Sequence, residues 1–253
     1  MNNLQIVVPM AGKGQRFVDA GYTLPKPMLP IGGVPMVVRA VMDLPPAERI
    51  VFLVRTEHIE QFGLDKIICS HLPQAIIVPV ERLTEGQACT VRLAADYLDR
   101  SAPVIVAACD NTHIYDPSRL ATVIADSAIS SVIWTYRGDH RVQRNPAAHG
   151  WVRVDGTRVL EVSCKVPISN NPLNDHAVSG FFCFHQAGTM IEAIDREVIV
   201  GTRVNQEFYM DTVPNVLIAD GERVEAFEVT RYIGWGTPTD YEAFLCQEDL
   251  IKV

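Results

Sequence analysis

The sequence contains no run of basic residues and no long hydrophobic segment. Of its 253 residues, 22 are lysine or arginine and 30 are aspartate or glutamate, which gives a formal net charge of −8. This balance argues against a nucleic-acid-binding protein, because a phosphate backbone requires clustered positive charge. The longest apolar stretches have the length of strands, which argues against a membrane-spanning helix.

Paired cysteines and a leader-like N-terminus are also missing. The six cysteines show no C-x-x-C spacing and most lie in apolar runs, which argues against a zinc site and favours reduced thiols. The first residues, "MNNLQIVVPMAG", enter an apolar run without a charged segment or a cleavage site. We therefore expect a cytoplasmic protein with no membrane or nucleic-acid partner.

Apolar runs alternate with segments of helical spacing in the first half of the chain. The predicted strands are 4–10, 50–54, 75–80 and 104–108, and the predicted helices between them are 35–44, 57–70 and 86–98. Strand–helix–strand alternation with short connections indicates an α/β protein with a twisted, mostly parallel sheet and right-handed crossovers. The first half is therefore expected to be Rossmann-like.

The second half is richer in strands than in helices. The predicted strands are 130–138, 176–184, 223–229 and a hairpin over 150–167 that turns at Asp155-Gly156. Helices are predicted after Pro117, at 186–197, at 211–219 and from Pro238. We expect a single domain whose second half adds antiparallel strands over the carboxyl edge of the sheet.

A glycine-rich, basic segment, "PMAGKGQRF", follows the first predicted strand. Gly12 and Gly14 allow backbone N–H groups to approach phosphate oxygens. The side chains of Lys13, Arg16 and Lys26 can neutralise the charge of such a ligand. A Walker P-loop and a dinucleotide fingerprint are both excluded, because the G-K-[ST] ending and the third glycine are absent.

Together with "PKPMLPIGGVPMV", this segment resembles the signature of the sugar-phosphate nucleotidylyltransferases, G-x-G-[ST]-R-[ML]…[PT]-K-P-[ML]. Later segments resemble that family in the same order: "TEGQACTV", "ACDNT", "HGWVRVDG", "EVSCKVP", "HAVSGFFCF" and "GWGTPTDYEAF". The chain is most similar to the short bacterial forms of capsule and surface-polysaccharide pathways. The resemblance implies a glycosyltransferase-A-like fold, a single domain over 1–253 with a nucleotide-binding half at 1–115 and an acceptor-binding half at 116–253.

The resemblance also implies a reaction and its site. Such enzymes join a nucleoside triphosphate (NTP) to a phosphorylated acceptor, giving a nucleoside diphosphate conjugate and pyrophosphate. The implied catalytic residues are Arg16 on the departing pyrophosphate, Lys26 on the α-phosphate and the acceptor phosphate, Asp110 on a Mg²⁺ cofactor and Lys165 on the acceptor phosphate. The implied nucleotide-binding residues are Ala11, Gly12, Lys13, Gly14, Glu85, Gly86 and Gln87. The implied acceptor-binding residues are Gly150, Lys165, Gly180 and Glu207.

These residues also have plainer interpretations. Asp110 ends an apolar strand and is a residue type that caps the following turn. Gly86 is a typical N-cap glycine, and Lys165 is typical of an outward-facing strand lysine. Glu207 and Asp211 are stabilising charges at a helix N-terminus, which is the interpretation that we favour for Asp211.

Two positions depart from the family pattern. Cys164 stands where the hexose-1-phosphate enzymes carry a glutamate, and Gly234 stands where they carry a second metal-binding aspartate. Asp110 and the substrate phosphates are then left to hold Mg²⁺, unless Asp240 or Glu207 reaches the ion. Because a thiol is a weak donor and a weak acceptor, we expect glucose 1-phosphate to be a poor acceptor. Another sugar phosphate, or a phosphocholine-like or phosphoamide compound with CTP, is expected to be better. The base, the acceptor and the oligomeric state, a homo-oligomer included, stay open.

Two other functions fit the same pattern less well. A glycosyltransferase of this fold typically carries an Asp-x-Asp motif, where this chain has "DNT", and it has no use for the glycine-rich segment. A nucleotide-binding regulatory module would carry a damaged triphosphate site, whereas the residues of this one are all present.

Overall fold

The computed structural model of the protein describes residues 3–201 and 203–251, with the side chains of 248–251 excluded. The strands are β1 (Gln5–Met10), β2 (Pro30–Ile31), β3 (Val34–Pro35), β4 (Arg49–Arg55), β5 (Ala75–Val80), β6 (Val104–Val106), β7 (Asn111–Ile114), β8 (Ser131–Tyr136), β9 (Gly150–Asp155), β10 (Arg158–Cys164), β11 (His176–Phe184), β12 (Val224–Glu228) and β13 (Arg231–Gly234). The α-helices are α1 (Gln15–Asp19), α2 (Met36–Met42), α3 (Thr56–Phe62), α4 (Leu64–His71), α5 (Gln87–Arg92), α6 (Pro117–Ala125), α7 (Arg141–Arg144), α8 (Ala187–Val200), α9 (Val213–Ala219) and α10 (Pro238–Ile251).

One large sheet organises these elements. Nine strands form it in the order β5-β4-β1-β6-β11-β8-β12-β10-β9, and β5, β4, β1 and β6 are parallel. β11 runs antiparallel to both β6 and β8, and β9 and β10 form the predicted hairpin. The α/β class and the Rossmann-like first half are therefore confirmed. Most of the later strands join the same sheet beside β6 and do not cover its carboxyl edge. A separate antiparallel pair, β7 and β13, begins directly after Asp110 at that edge.

Alternate side chains of the strands enter two cores on opposite faces of the sheet, as the period of a strand requires. In β1, Val7 packs into one core, while Ile6 and Val8 pack into the other. Helices α5, α8 and α9 cover the first face, and α2, α4 and α6 cover the second. Within the described residues, no helix has the length and apolar character needed to cross a membrane.

Two predicted helices differ from the structure. The predicted helix 57–70 is divided into α3 and α4, because Gly63 adopts a left-handed backbone (φ 64°) that ends α3. The predicted helix 86–98 is α-helical only to Arg92 and continues as a 3₁₀ turn over Ala95–Tyr97. The short elements β7, β13, α1 and α7 were not predicted at all.

Candidate active site

A cleft of about 690 Å³ opens at the carboxyl edge of the parallel strands. Residues 9–17, from the end of β1 into α1, form one wall. A further wall includes residues just before α5 and in its first turn, namely Leu83, Thr84, Gly86, Gln87 and Thr90. Ala108–Asp110 lie beyond β6, and Glu207 and Gly236 contribute from the second half. The carboxyl ends of parallel strands are the usual ligand position in open α/β sheets.

The glycine-rich segment is anchored by one buried side chain, while its residues 12–16 line the cleft. Phe17 is buried and its ring contacts Tyr22 and Tyr241, with centroids 5.2 and 6.1 Å apart. A Cβ added at Gly12 would meet nothing within 4 Å, so packing does not require glycine there. Lys13 and Arg16 are exposed along this wall, and neither forms an ion pair with another described residue. The segment therefore presents free backbone and two free cations to the cleft.

Lys26 and Asp110 form an ion pair within the same cleft. The Nζ atom of Lys26 lies 2.6 Å from Oδ2 of Asp110, and the side chains are 18% and 24% exposed. Burial opposes the charge of Lys26, but the carboxylate of Asp110 holds the pKa of the lysine above its ordinary value. The two residues are 84 positions apart in the sequence, and the fold brings them together.

Asp110 is a suitable single carboxylate for a divalent cation. The backbone N–H of Trp235 donates to the Asp110 carbonyl at 2.8 Å, and a Cβ on Gly236 would come within 3.0 Å of Oδ2. Glycine therefore keeps the space beside this carboxylate free. Mg²⁺ is commonly held by one or two carboxylates together with substrate phosphates and water. Among the described residues, no group of three or more His, Cys, Asp or Glu is arranged to hold a metal.

The position of the second carboxylate is occupied by other side chains. A Cβ on Gly234 would lie 2.6 Å from the ring of Tyr232, and Arg141 places its guanidinium 5.0 Å from the centre of that ring. Asp240 accepts a hydrogen bond from Thr237 at 2.7 Å and does not line the cleft. Glu207 does line the cleft, so it is the better of the two predicted substitutes.

The turn that leads into α5 is docked on the second half of the chain. Phe208 donates from its N–H to the Glu85 carbonyl at 2.8 Å, and Ala88 donates to the Phe208 carbonyl at 3.0 Å. Gly86 has φ 126°, and a Cβ there would lie 2.4 Å from the Phe208 oxygen, so this glycine is required by packing. Gln87 lines the cleft, and its binding of the nucleotide stays a prediction. The Glu85 side chain pairs with Arg203 at 2.8 Å and does not line the cleft. The role of Glu85 at the nucleotide stays a prediction.

The predicted acceptor residues lie next to the cleft, and of these only Glu207 lines it. The prediction of Lys165 as a strand residue was wrong, because β10 ends at Cys164 and Lys165 has a left-handed backbone (φ 63°). Gly180 lies in an irregular part of β11, with φ 90°, where an added Cβ would be 3.3 Å from that of Ala108. The binding roles of Gly150, Lys165 and Gly180 stay predictions.

His58, on α3, is a cleft residue that sequence reasoning missed. Its Nδ1 atom is buried and has no hydrogen-bond partner among the described residues. Burial, reinforced by the charge of Arg55, lowers the pKa of His58, so the ring is neutral at pH 7. No motif or spacing marks this histidine in the sequence, because α3 reaches the cleft only through the packing of the sheet.

The sequence profile of the MobA-like NTP transferase domain matches residues 6–197 of the chain. The chain belongs to this family. The expectation of a pyrophosphate-releasing nucleotidyltransferase is thereby confirmed. A search of curated protein sequences finds no significant match.

Solved structures confirm the glycosyltransferase-A-like fold of this NTP transferase. A nucleoside-diphosphate-sugar pyrophosphorylase from Vibrio cholerae is 24% identical, with a TM-score of 0.73 over 95% of this chain and 99% of that one. An inositol-1-phosphate CTP transferase from T. maritima is 17% identical, with a TM-score of 0.73 over 95% and 93% of the two chains. A UDP-glucose pyrophosphorylase from Acinetobacter baumanii is 16% identical, with a TM-score of 0.71 over 97% and 93%.

Proposed function

We propose that this NTP transferase joins an NTP to a phosphorylated small-molecule acceptor and releases pyrophosphate. The observation that carries the proposal is the pairing of Lys26 with Asp110 at 2.6 Å inside a cleft walled by the glycine-rich segment. This pairing supports a role for Lys26 in binding phosphate and for Asp110 in binding a cation. We place the triphosphate along residues 11–16 and the base near Gln87.

The proposed reaction is an in-line displacement at the α-phosphorus. An oxygen of the acceptor phosphate forms a bond to that phosphorus, and the bond to the bridging oxygen of the β-phosphate breaks. The electron pair of the broken bond leaves with pyrophosphate. The protein forms no covalent bond, so its contribution is positioning and charge stabilisation.

The residues of the chain divide this work by charge. Lys13 and Arg16 are free cations on the wall that we assign to the β- and γ-phosphates, and Lys26 is assigned to the α-phosphate and the attacking oxygen. Asp110 would hold Mg²⁺ together with phosphate oxygens, and the ion would supply further neutralisation of the polyanion when bound. Glu207 lines the cleft and is assigned to the acceptor.

We propose a sugar 1-phosphate or a related small phosphate as the acceptor, in the synthesis of a surface-polysaccharide precursor. The Cys164 thiol is buried and its pKa is raised to about 12, first by burial and then by Asp211. A neutral thiol in that environment is a poor acceptor for the hydroxyls of glucose. The likeness to an inositol-1-phosphate CTP transferase supports a CTP-dependent reaction as the second candidate.

One matrix of assays tests the proposal. Pyrophosphate release is measured for four NTPs, each with a panel of sugar 1-phosphates, inositol phosphate and phosphocholine, in the presence of Mg²⁺. Release that depends on both substrates is expected for at least one pair. Free nucleoside diphosphate formed from a nucleotide-sugar would instead indicate a glycosyltransferase, and NTP binding without release in any combination would indicate a regulatory module.

A further inference from the structure

We infer that Tyr241, on α10, is a positioning residue that fixes the spacing of Arg16 and Lys26 for the triphosphate. This inference rests on the proposed function for the identity of that ligand. The two cations are assigned to different phosphates, and they lie on separate short segments, since Arg16 is in α1 and Lys26 begins the 3₁₀ turn Lys26–Met28. A ligand that contacts both cations requires these segments to keep a fixed separation.

A third hydrophobic cluster joins the two segments. It shares no residue with the two cores of the sheet, and its buried members are Phe17, Leu29, Ile31, Met36, Ala40, Trp235 and Tyr241. Phe17 directly follows Arg16 in α1, and the N–H of Leu29 donates to the Lys26 carbonyl at 3.1 Å. Each cation is therefore next to a residue that is buried in this cluster, so the packing of the cluster determines how far apart the cations lie.

Tyr241 contacts both segments. Its ring lies edge-to-face against the ring of Phe17, with centroids 6.1 Å apart and an angle of 68° between the rings. Its hydroxyl donates to the carbonyl of Pro30, in the strand β2 that follows the Lys26 turn, at 3.1 Å. The residue is only 4% exposed and lies in the first turn of α10. One side chain of the C-terminal helix thus connects the segment of Arg16 to the segment of Lys26.

Tyr22 strengthens the attachment of the first segment to α10. Its ring contacts those of Phe17 and Tyr241, with centroids 5.2 and 6.0 Å away, and its hydroxyl donates to Glu242 at 2.9 Å. The N–H of Tyr22 donates to the Phe17 carbonyl at 3.0 Å and closes the loop after α1. A helix of five residues is not stable by itself. The conformation of α1 and its loop therefore depends on packing against α10.

This support matters because the groups that face the cleft have little packing of their own. An added Cβ at Gly12 meets no atom within 4 Å, and Lys13 and Arg16 are exposed. A mobile loop must be ordered when its ligand binds, which lowers the affinity, and a loop that is already fixed avoids this cost. Tyr241 does not line the cleft, so it acts on the ligand through the two segments.

Binding of ligands of different length tests the inference. The affinities of an NTP and of its nucleoside monophosphate are measured by calorimetric titration for Tyr241→Leu and the natural protein, with thermal unfolding as the check on folding. Affinity for the NTP is expected to fall about tenfold or more, since a small misplacement of a binding group has effects of this order. The monophosphate reaches only Lys26 in the proposed arrangement, and Lys26 keeps its ion pair with Asp110. Its affinity should therefore change less than about twofold by the same reasoning. Tyr97→Leu, on an exposed 3₁₀ turn, is the matched control and should change neither affinity.

A double-mutant cycle with Arg16→Met gives the second criterion. In the Arg16→Met background, Tyr241→Leu should have little further effect on NTP affinity, because the cation that it positions is absent. Additive effects of the two substitutions would overturn the inference, and so would equal losses of NTP and monophosphate affinity. If Tyr241→Leu does not fold, the double variant Tyr22→Phe/Tyr241→Phe replaces it, since both rings are kept and only the hydroxyls are lost. This variant should bind the NTP about threefold or more weakly, and an unchanged affinity would overturn the inference.

Hydrogen exchange separates this inference from the proposed function, because it requires no ligand. The N–H groups of Gly21 and Tyr22, which donate to carbonyls of α1, should exchange several-fold faster in Tyr241→Leu, while those of β8 should not change. Unchanged exchange at Gly21 and Tyr22 overturns the inference even if the enzyme turns over. If the NTP binds but no acceptor reacts, the proposed function fails and the affinities still decide the role of Tyr241. If the natural protein binds no NTP, both fail.

Discussion

The ammonium of Lys26 and the carboxylate of Asp110 neutralise each other at 2.6 Å. In the proposed reaction they have opposite tasks, since one binds phosphate and the other binds a cation. When a triphosphate binds Lys26, the carboxylate of Asp110 loses its ion-pair partner. That carboxylate is then available to bind a divalent cation. The two binding events are therefore coupled through one ion pair.

Lys26→Met should abolish most activity without unfolding the protein. The substitution keeps the length of the side chain and removes one preorganised cation, so kcat is expected to fall by about 10²–10³. Lys66→Met, on an exposed face of α4, is the matched control and should keep full activity. Near-normal kcat/KM in Lys26→Met, measured by pyrophosphate release, would remove the basis of the assignment.

Asp110→Asn should lower the catalytic activity with Mg²⁺ but should not weaken the binding of the NTP in the absence of metal. Activity with Mg²⁺ is expected to fall severely, because the carboxylate that fixes the ion is lost. In EDTA, however, the variant should bind the NTP at least as tightly as the natural protein does, because Lys26 is released from its ion pair. Calorimetric titration measures both affinities. Weaker binding of the NTP by the variant in EDTA would contradict the coupling.

Gly12 and Gly86 should respond differently to the same substitution. Gly86→Ala meets the Phe208 backbone at 2.4 Å and has an unfavourable φ of 126°, so the free energy of unfolding should fall by about 2 kcal/mol or more. Gly12→Ala meets no atom within 4 Å and should leave the thermal midpoint nearly unchanged. If Gly12 is where backbone approaches phosphate, that variant should still lose NTP affinity. Equal stability of the two variants would show that the Gly86 turn can relax.

The protein should lose stability between pH 6.5 and about 3. Burial lowers the pKa of His113 to about 3 and that of His149 to about 4. Below pH 6.5 these histidines become protonated in the unfolded chain but stay neutral in the folded protein. Acidification therefore favours unfolding. At pH 5 one such histidine would cost about 2 kcal/mol. His113→Phe should make the loss of stability between pH 7 and pH 5 smaller in urea unfolding, and an unchanged loss would show that His113 is not responsible.

Glucose 1-phosphate should be a poor acceptor. The thiol at position 164 is buried, which raises its pKa to about 12. No carboxylate stands at position 234, where the Tyr232 ring fills the space. We expect a kcat/KM below about 10⁴ M⁻¹s⁻¹ for this acceptor, which is at the lower end of ordinary enzyme efficiencies. A higher value with any of four NTPs would show that Cys164 and Gly234 do not determine the acceptor.

The sequence by itself determined the parts of the protein that are encoded locally. The strands β1, β4 and β5 and the hairpin of β9 and β10 were predicted to within a few residues. Side-chain period and turn residues act over short distances, so they are visible in any window of the chain. The glycine-rich segment was recognised for the same reason, because phosphate access depends on consecutive backbone groups.

Only the tertiary structure decided which distant residues share a site. Lys26 and Asp110 meet because β1 and β6 are neighbours in the sheet, and Gly86 is fixed by the Phe208 backbone from the second half. The burial of Asp211 beside Gly150 likewise depends on how the segment before α9 packs against β9. Such contacts join segments far apart in sequence, and no local pattern records them. The ion pairs, the burial and the pKa values of these residues follow from that packing. The candidate residues could therefore be predicted from the sequence, but their arrangement in one site depends on the fold.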